Sequence, residues 1–224
     1  MMKYDIVFDD INSFAAMWVG DATAGTSDLA AVADVAIKQA VPFVSMSAGA
    51  IKIFWPWVEG KHIKILGRFN VCANQDFDVV MSKFARSVTD AFHAGADGVQ
   101  VFVPCDNMAQ FVDMVRTIKS DLFFDRYLSI GIDIDNMENI NWQMIFDVLN
   151  EIRPDSILIF GNVEHFDPNS LFAGRVFDML EKWNIDSDLH LMFGKNTLRV
   201  AQVLRLVEKM RPELMKNLRV FVEP

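Results

Sequence analysis

Lys195, Asp133 and Asp21 are the residues of this 224-residue chain whose types could carry covalent or acid–base chemistry. A lysine amine buried among apolar strands holds its proton less tightly, and as the free base it adds to a carbonyl to form a Schiff base. Aspartates beside such an amine pass protons to and from the substrate. Arg68 offers a planar fork of donors that grips a phosphate or carboxylate in two places. Ser47, Asn70 and Gln100 complete a small polar lining of substrate-binding groups. The plainer account of any one of them is that polar residues end strands in many folds and merely cap the next helix.

Other candidates are weaker. Asp21, Asp133, Asp135 and Glu223 could hold Mg²⁺ or Mn²⁺, which makes a metal-assisted enzyme an alternative. Glu164, His165 and Asp167 are too close in sequence to aim at one ion, and residues 167–170 (DPNS) read as a capping run. No metal set is assigned and no cofactor is expected. Cys72 and Cys105 form neither a disulfide framework nor a CxxC pair, which fits a reducing compartment. His93 sits at a helix end, where a positive ring suits the dipole. For His62 and His190 the sequence supplies no partner.

The elements that must position these residues are legible in the hydrophobic pattern. The chain is 52% hydrophobic and 23% charged, enough apolar material for a sizeable core. Its formal charge of −9 excludes nucleic acid and anionic membrane as main partners, since both require a basic footprint. The apolar run 41–58 is broken by Pro42, Lys52 and Pro56, so it reads as a buried strand and a short helix rather than a membrane span. Residues 1–10 lack the basic and apolar regions of a signal peptide. The expectation is a cytoplasmic protein that binds a small, anionic molecule.

Short β-like runs alternate with helical stripes. Strands are expected at 16–21, 43–47, 63–71, 98–103, 127–134, 156–160, 188–193 and 218–222. Helices are expected from residue 29 to 40, from 77 to 92 with Gly95 as a left-handed cap, and at 108–122, 142–152, 171–183 and 198–210. Eight β/α units over 224 residues, about 28 each, match a compact (β/α)8 TIM barrel forming a single domain, 1–224. An open doubly wound sheet is the alternative, but no G-x-G-x-x-G follows the first strand. Residues 2–14 form an extra N-terminal segment, and no helix follows strand eight. The expected consequence is an apolar seam outside the barrel and a homo-oligomer that covers it.

Residues 65–104 (ILGRFNVCANQDFDVVMSKFARSVTDAFHAGADGVQVFVP) resemble the class I deoxyribose-phosphate aldolase family. There a strand ending in Asn-Phe-Pro leads through a polar loop and a long helix to Gly-Ala-Asp and the next strand. GDAT at 20–23 is similar to the family's first strand with its aspartate. The resemblance implies a TIM-barrel lyase with Asp21 and Asp133 in the family's strand-one and strand-five carboxylate positions. The proton-relaying aspartate of strand four falls at Gln100, and the Schiff-base lysine of strand six falls at Leu158. The strand-seven lysine falls near Lys195, and the phosphate-binding glycine pairs have no match.

Taken together, these residues describe a divergent, aldolase-like barrel, a lyase for a small carbonyl or sugar-derived substrate through Lys195. A non-catalytic ligand-binding or scaffold barrel is the alternative.

Overall fold

The computed structural model describes residues 14–20, 25–70, 77–102, 113, 116, 125–135, 140–161, 172–194 and 197–223. Eight parallel strands close into a barrel in sequence order, with β8 pairing back onto β1. The strands are β1 (Ala15–Trp18), β2 (Phe43–Ser47), β3 (Lys64–Asn70), β4 (Gly98–Phe102), β5 (Tyr127–Asp133), β6 (Ser156–Phe160), β7 (Asp188–Met192) and β8 (Arg219–Val222). The helices are α1 (Thr26–Lys38), α2 (Ala48–Val58), α3 (Phe77–His93), α4 (Trp142–Ile152), α5 (Phe172–Lys182) and α6 (Thr197–Met210), and a 3₁₀ helix (Pro212–Lys216) precedes β8. Asp113 and Arg116 are helical, as expected within 108–122. The remainder of that stretch, and the expected N-terminal segment up to residue 13, lie outside the described residues.

The (β/α)8 barrel therefore stands, and its chemistry explains the strand sequences. Both faces of each strand are covered, so runs such as SILIF in β6 and FVSMS in β2 are almost wholly buried. The helices bury one stripe each. In α4, Trp142, Ile145, Phe146, Val148, Leu149 and Ile152 face the barrel, and the Asn141 side chain caps the helix by accepting from the Met144 amide at 3.2 Å. At α1 the N-cap residue is Gly25, which makes no side-chain bond, and Asp28 lies in the first turn.

The Gly-Ala-Asp motif of the aldolase resemblance has a structural role here. Gly95 has φ of +106°, and a Cβ there would lie 2.3 Å from the Trp55 ring. Asp97 accepts a hydrogen bond from the Ile65 amide at 2.8 Å, tying the start of β3 to the residue before β4. Asp155 repeats the device two strands on, accepting from the Leu128 amide at 2.8 Å. Both carboxylates sit at the opposite end of the barrel from the ends of the strands where chemistry is expected.

Among the described residues the expected bare seam is not found. The outward-facing residues at the junction of β1 and β8 are buried, Met17 at 2% exposure and Val220 at 0%. Phe14, Leu214, Met215 and Val222 pack against the same apolar core. No helix among the described residues is long and apolar enough to cross a membrane.

Candidate functional site

Side chains at alternate positions of each strand enter the barrel, and at the C-terminal ends they enclose a cavity of about 470 Å³. That volume lies within the usual range for small-molecule sites. Trp18, Phe102, Phe160 and Met192 form its apolar wall. The Phe102 ring stands edge-on to Trp18 at 5.7 Å and to Phe160 at 5.0 Å. Gly131 makes this arrangement possible, because a Cβ there would lie 2.6 Å from the Phe102 ring.

Ser47, Arg68 and Asn70 complete the lining. The guanidinium of Arg68 is held in place. It donates from Nη2 to the Val19 carbonyl at 2.5 Å and from Nη1 to the Ser45 carbonyl at 3.3 Å, and it stacks over Trp18 with 4.0 Å between its central carbon and the ring centre. A fixed guanidinium costs less entropy to engage than a mobile one, which suits recognition of a planar anion.

Three of the expected site residues thus come together. Gln100 does not join them. It is wholly buried beneath the cavity, accepting from Ser45 Oγ at 2.8 Å, with its amide nitrogen 3.5 Å from Ser129 Oγ. Asp133 ends β5, and its carboxylate accepts from the Asp135 amide at 3.0 Å, which shapes the turn beyond the strand. It is not among the residues lining the cavity. Asp21 and Lys195 lie outside the described residues, as do Glu164, His165, Asp167 and both cysteines.

Strand six has no amine. Its inward positions are Ser156, Leu158 and Phe160: Leu158 is fully buried in the barrel interior with Ala16, Leu66 and Phe221, and Phe160 lines the cavity. A Schiff base on this strand has no residue to form on. Asp135, considered above for a metal, has its carboxylate 2.5 Å from the Arg199 guanidinium, and Glu223 is exposed. Among the described residues no group of three His, Cys, Asp or Glu side chains is placed to hold a metal ion.

The aromatic wall was not foreseen from composition, where the excess of Phe and Met reads as core filler. The signal was the inward alternation itself, which places Trp18, Phe102, Phe160 and Met192 at or next to strand ends.

This geometry defines a (β/α)8 TIM barrel with a cavity at the C-terminal ends of its strands. A Coccidioides immitis protein described as a deoxyribose-phosphate aldolase superimposes with a TM-score of 0.68 at 9% identity, covering 94% of this chain and 82% of that one. The tetrameric deoxyribose phosphate aldolase of Aeropyrum pernix gives 0.65 at 10% identity, with 92% and 91% covered. Dihydrodipicolinate synthase from Agrobacterium tumefaciens gives 0.55 at 14%, with 93% and 78% covered. No family model matches the sequence. No curated protein matches it. The likeness is one of fold, and the fold is that of the divergent barrel the sequence resembles.

Proposed function

We propose that this aldolase-like barrel binds a small molecule with an anionic end and an apolar body at the C-terminal ends of its strands. One observation carries the reading: the Arg68 guanidinium is clamped at a cavity otherwise walled by Trp18, Phe102, Phe160 and Met192. An anion there gains a charge-assisted hydrogen bond while its body displaces water from aromatic surface. Benzoate and pyruvate are suitable probes, read by calorimetry and by the shift in unfolding temperature. Benzoate is expected to bind the more tightly. Arg68→Met is expected to weaken it by about tenfold or more, the worth of one charge-assisted bond. Equal affinity in a folded Arg68→Met protein removes Arg68 from the site.

A lyase acting through Lys195 is a second reading. Met192 ends β7 and lines the cavity, and Lys195 follows three residues later in the chain. In this reading Lys195 forms the Schiff base with a small carbonyl or sugar-derived substrate, while Asp133 and Asp21 move protons. Borohydride trapping with pyruvate or glycolaldehyde, followed by peptide mass mapping, is expected to label Lys195. A protein that stays unlabelled there is a binding barrel and not a Schiff-base enzyme.

The chain is also proposed to form a homo-oligomer. Val35 and Ile37 on α1, with Ile53 and Trp55 on α2, supply exposed apolar surface on two helices adjacent in the chain.

A further inference from the structure

The lower interior of the barrel contains polar atoms that the protein itself does not satisfy. His190, on β7, is fully buried, and neither of its ring nitrogens makes a hydrogen bond within the chain. The hydroxyls of Tyr127 on β5 and Ser156 on β6 neighbour each other without closing a well-formed hydrogen bond and reach no other group, and Nε of Arg219 on β8 is unpaired. Native interiors rarely leave such groups unpaired, because each gives up its hydration and gains nothing in return.

Aromatic rings surround the imidazole. Phe43 lies 5.4 Å from the His190 ring and Phe221 5.5 Å, and the Tyr127 ring runs nearly parallel to it at 6.5 Å. Tyr127 also packs on Phe43 at 5.1 Å. Its backbone leaves no room beside Gly98, where a Cβ would lie 2.4 Å from the Tyr127 carbonyl oxygen. At the outer edge, the Lys64 ammonium stands 5.0 Å from the centre of the Tyr127 ring. Phe221 also separates this region from the ligand cavity, its ring 6.5 Å from Trp18 on one side and 5.5 Å from His190 on the other.

We propose that His190, Tyr127 and Ser156 form an internal water site in the lower barrel, with Arg219 at its edge and the ligand cavity closed off above it. The donor and acceptor count selects water. A neutral imidazole presents one N–H and one lone pair, so its guest must both accept and donate. Hydroxyls on neighbouring strands can do the same, but a halide or other simple anion cannot meet the lone pair. Asp155 and Asp188 direct negative charge at Tyr127 and oppose Arg219, which further disfavours an anion. Burial, with Arg219 adding to it, holds His190 in the neutral form that this count requires.

The site can be read directly by magnetic relaxation dispersion of oxygen-17 water and by water-to-imidazole Overhauser effects at His190. The wild-type protein is expected to show a long-lived water with cross-peaks to the His190 ring protons. Tyr127→Phe combined with Ser156→Ala is expected to reduce the dispersion amplitude by the share of at least one molecule. Unchanged amplitude in a folded double variant overturns the proposal. So does the absence of any water contact to the His190 ring in the wild-type protein, which needs no variant to fold. Benzoate binding in the upper cavity is expected to be the same in both proteins, so this result and the test of the ligand site are read separately.

Discussion

Replacing Arg199 by methionine is expected to lower the free energy of unfolding by about 3–5 kcal/mol, the cost of stranding one member of a buried ion pair. Arg199 lies in the first turn of α6 and is 2% exposed. A cation at a helix N-terminus opposes the helix dipole, so its presence there needs a compensating charge. Asp135, two residues beyond β5, supplies it at 2.5 Å, and the guanidinium also rests 4.6 Å from the centre of the Phe172 ring. Gly161, just after β6, leaves room for the pair: a Cβ would lie 2.6 Å from the Asp135 carboxylate and 3.1 Å from Arg199 Nη1. Arg175 of α5 adds hydrogen bonds to the carbonyls of Ile134 and Asp135 at 2.7 and 3.1 Å. Together these contacts tie the ends of β5 and β6 to the first turns of α5 and α6. Asp135→Asn is expected to cost less, because an amide still accepts from the arginine. The double variant Arg199→Met/Asp135→Asn should recover part of the loss, since no charge then remains stranded. Urea midpoints of all four proteins decide it. Single variants within 1 kcal/mol of wild type would mean the pair is solvated rather than buried.

Acid is expected to destabilise the protein through His190. Burial first, and the positive charge of Arg219 second, bring its pKa from 6.5 down to about 3. The unfolded chain therefore binds a proton on this residue at a higher pH than the folded one does. Stability from the neutral ring is complete above about pH 6.5 and drains away as the pH falls through the window down to about 3. Across the whole window the loss amounts to about 4–5 kcal/mol. Carboxylates also titrate in the lower part of this range, so the informative quantity is a difference between two proteins. His190→Leu keeps most of the volume and removes the titration, so its stability should fall less steeply between pH 6.5 and 4. Parallel curves for the two proteins would show that His190 is hydrated well enough to keep its ordinary affinity for protons.

The two effects arise at opposite ends of one barrel, and they divide its interior by chemistry. The upper end joins an aromatic wall to a clamped arginine and faces the solvent through its cavity. The lower end encloses polar groups among rings and has Lys64 at its outer edge. Between them, Ala16, Leu66, Leu158 and Phe221 form a small buried cluster, with the Ser45–Gln100–Ser129 hydrogen bonds in the interior beside it.

Local patterning was sufficient for the elements. The strand at 43–47 and the helix after it, the cap at Gly95, and the run SILIF all occur where alternation and turn chemistry place them. Those signals depend on neighbours a few residues apart, and a single chain displays them directly. Even closure of the barrel follows from counting eight strands with helices between them. The strand-end rule also brought Ser47, Arg68 and Asn70 to one place, because in this fold every strand delivers its end to the same rim.

What tertiary structure alone decided is how each polar group is used. Asp97 belongs to the Gly-Ala-Asp motif of the family resemblance, yet its carboxylate, like that of Asp155, holds an amide of a neighbouring strand. Gln100 and Asp133 look equivalent to Arg68 as strand-end polar residues, yet Ser45 and Ser129 engage the one and a turn amide the other. His190 has no partner in its own segment, and only the barrel brings Phe43, Tyr127 and Phe221 around it. The physical reason is common to all of these. Hydrophobic periodicity is a property of adjacent residues, whereas a hydrogen bond, an ion pair or a desolvated ring depends on atoms that the chain brings together from strands far apart in sequence. The sequence by itself therefore determined an eight-stranded barrel and its strand-end rim, and the folded structure decided which of the polar residues line the cavity there.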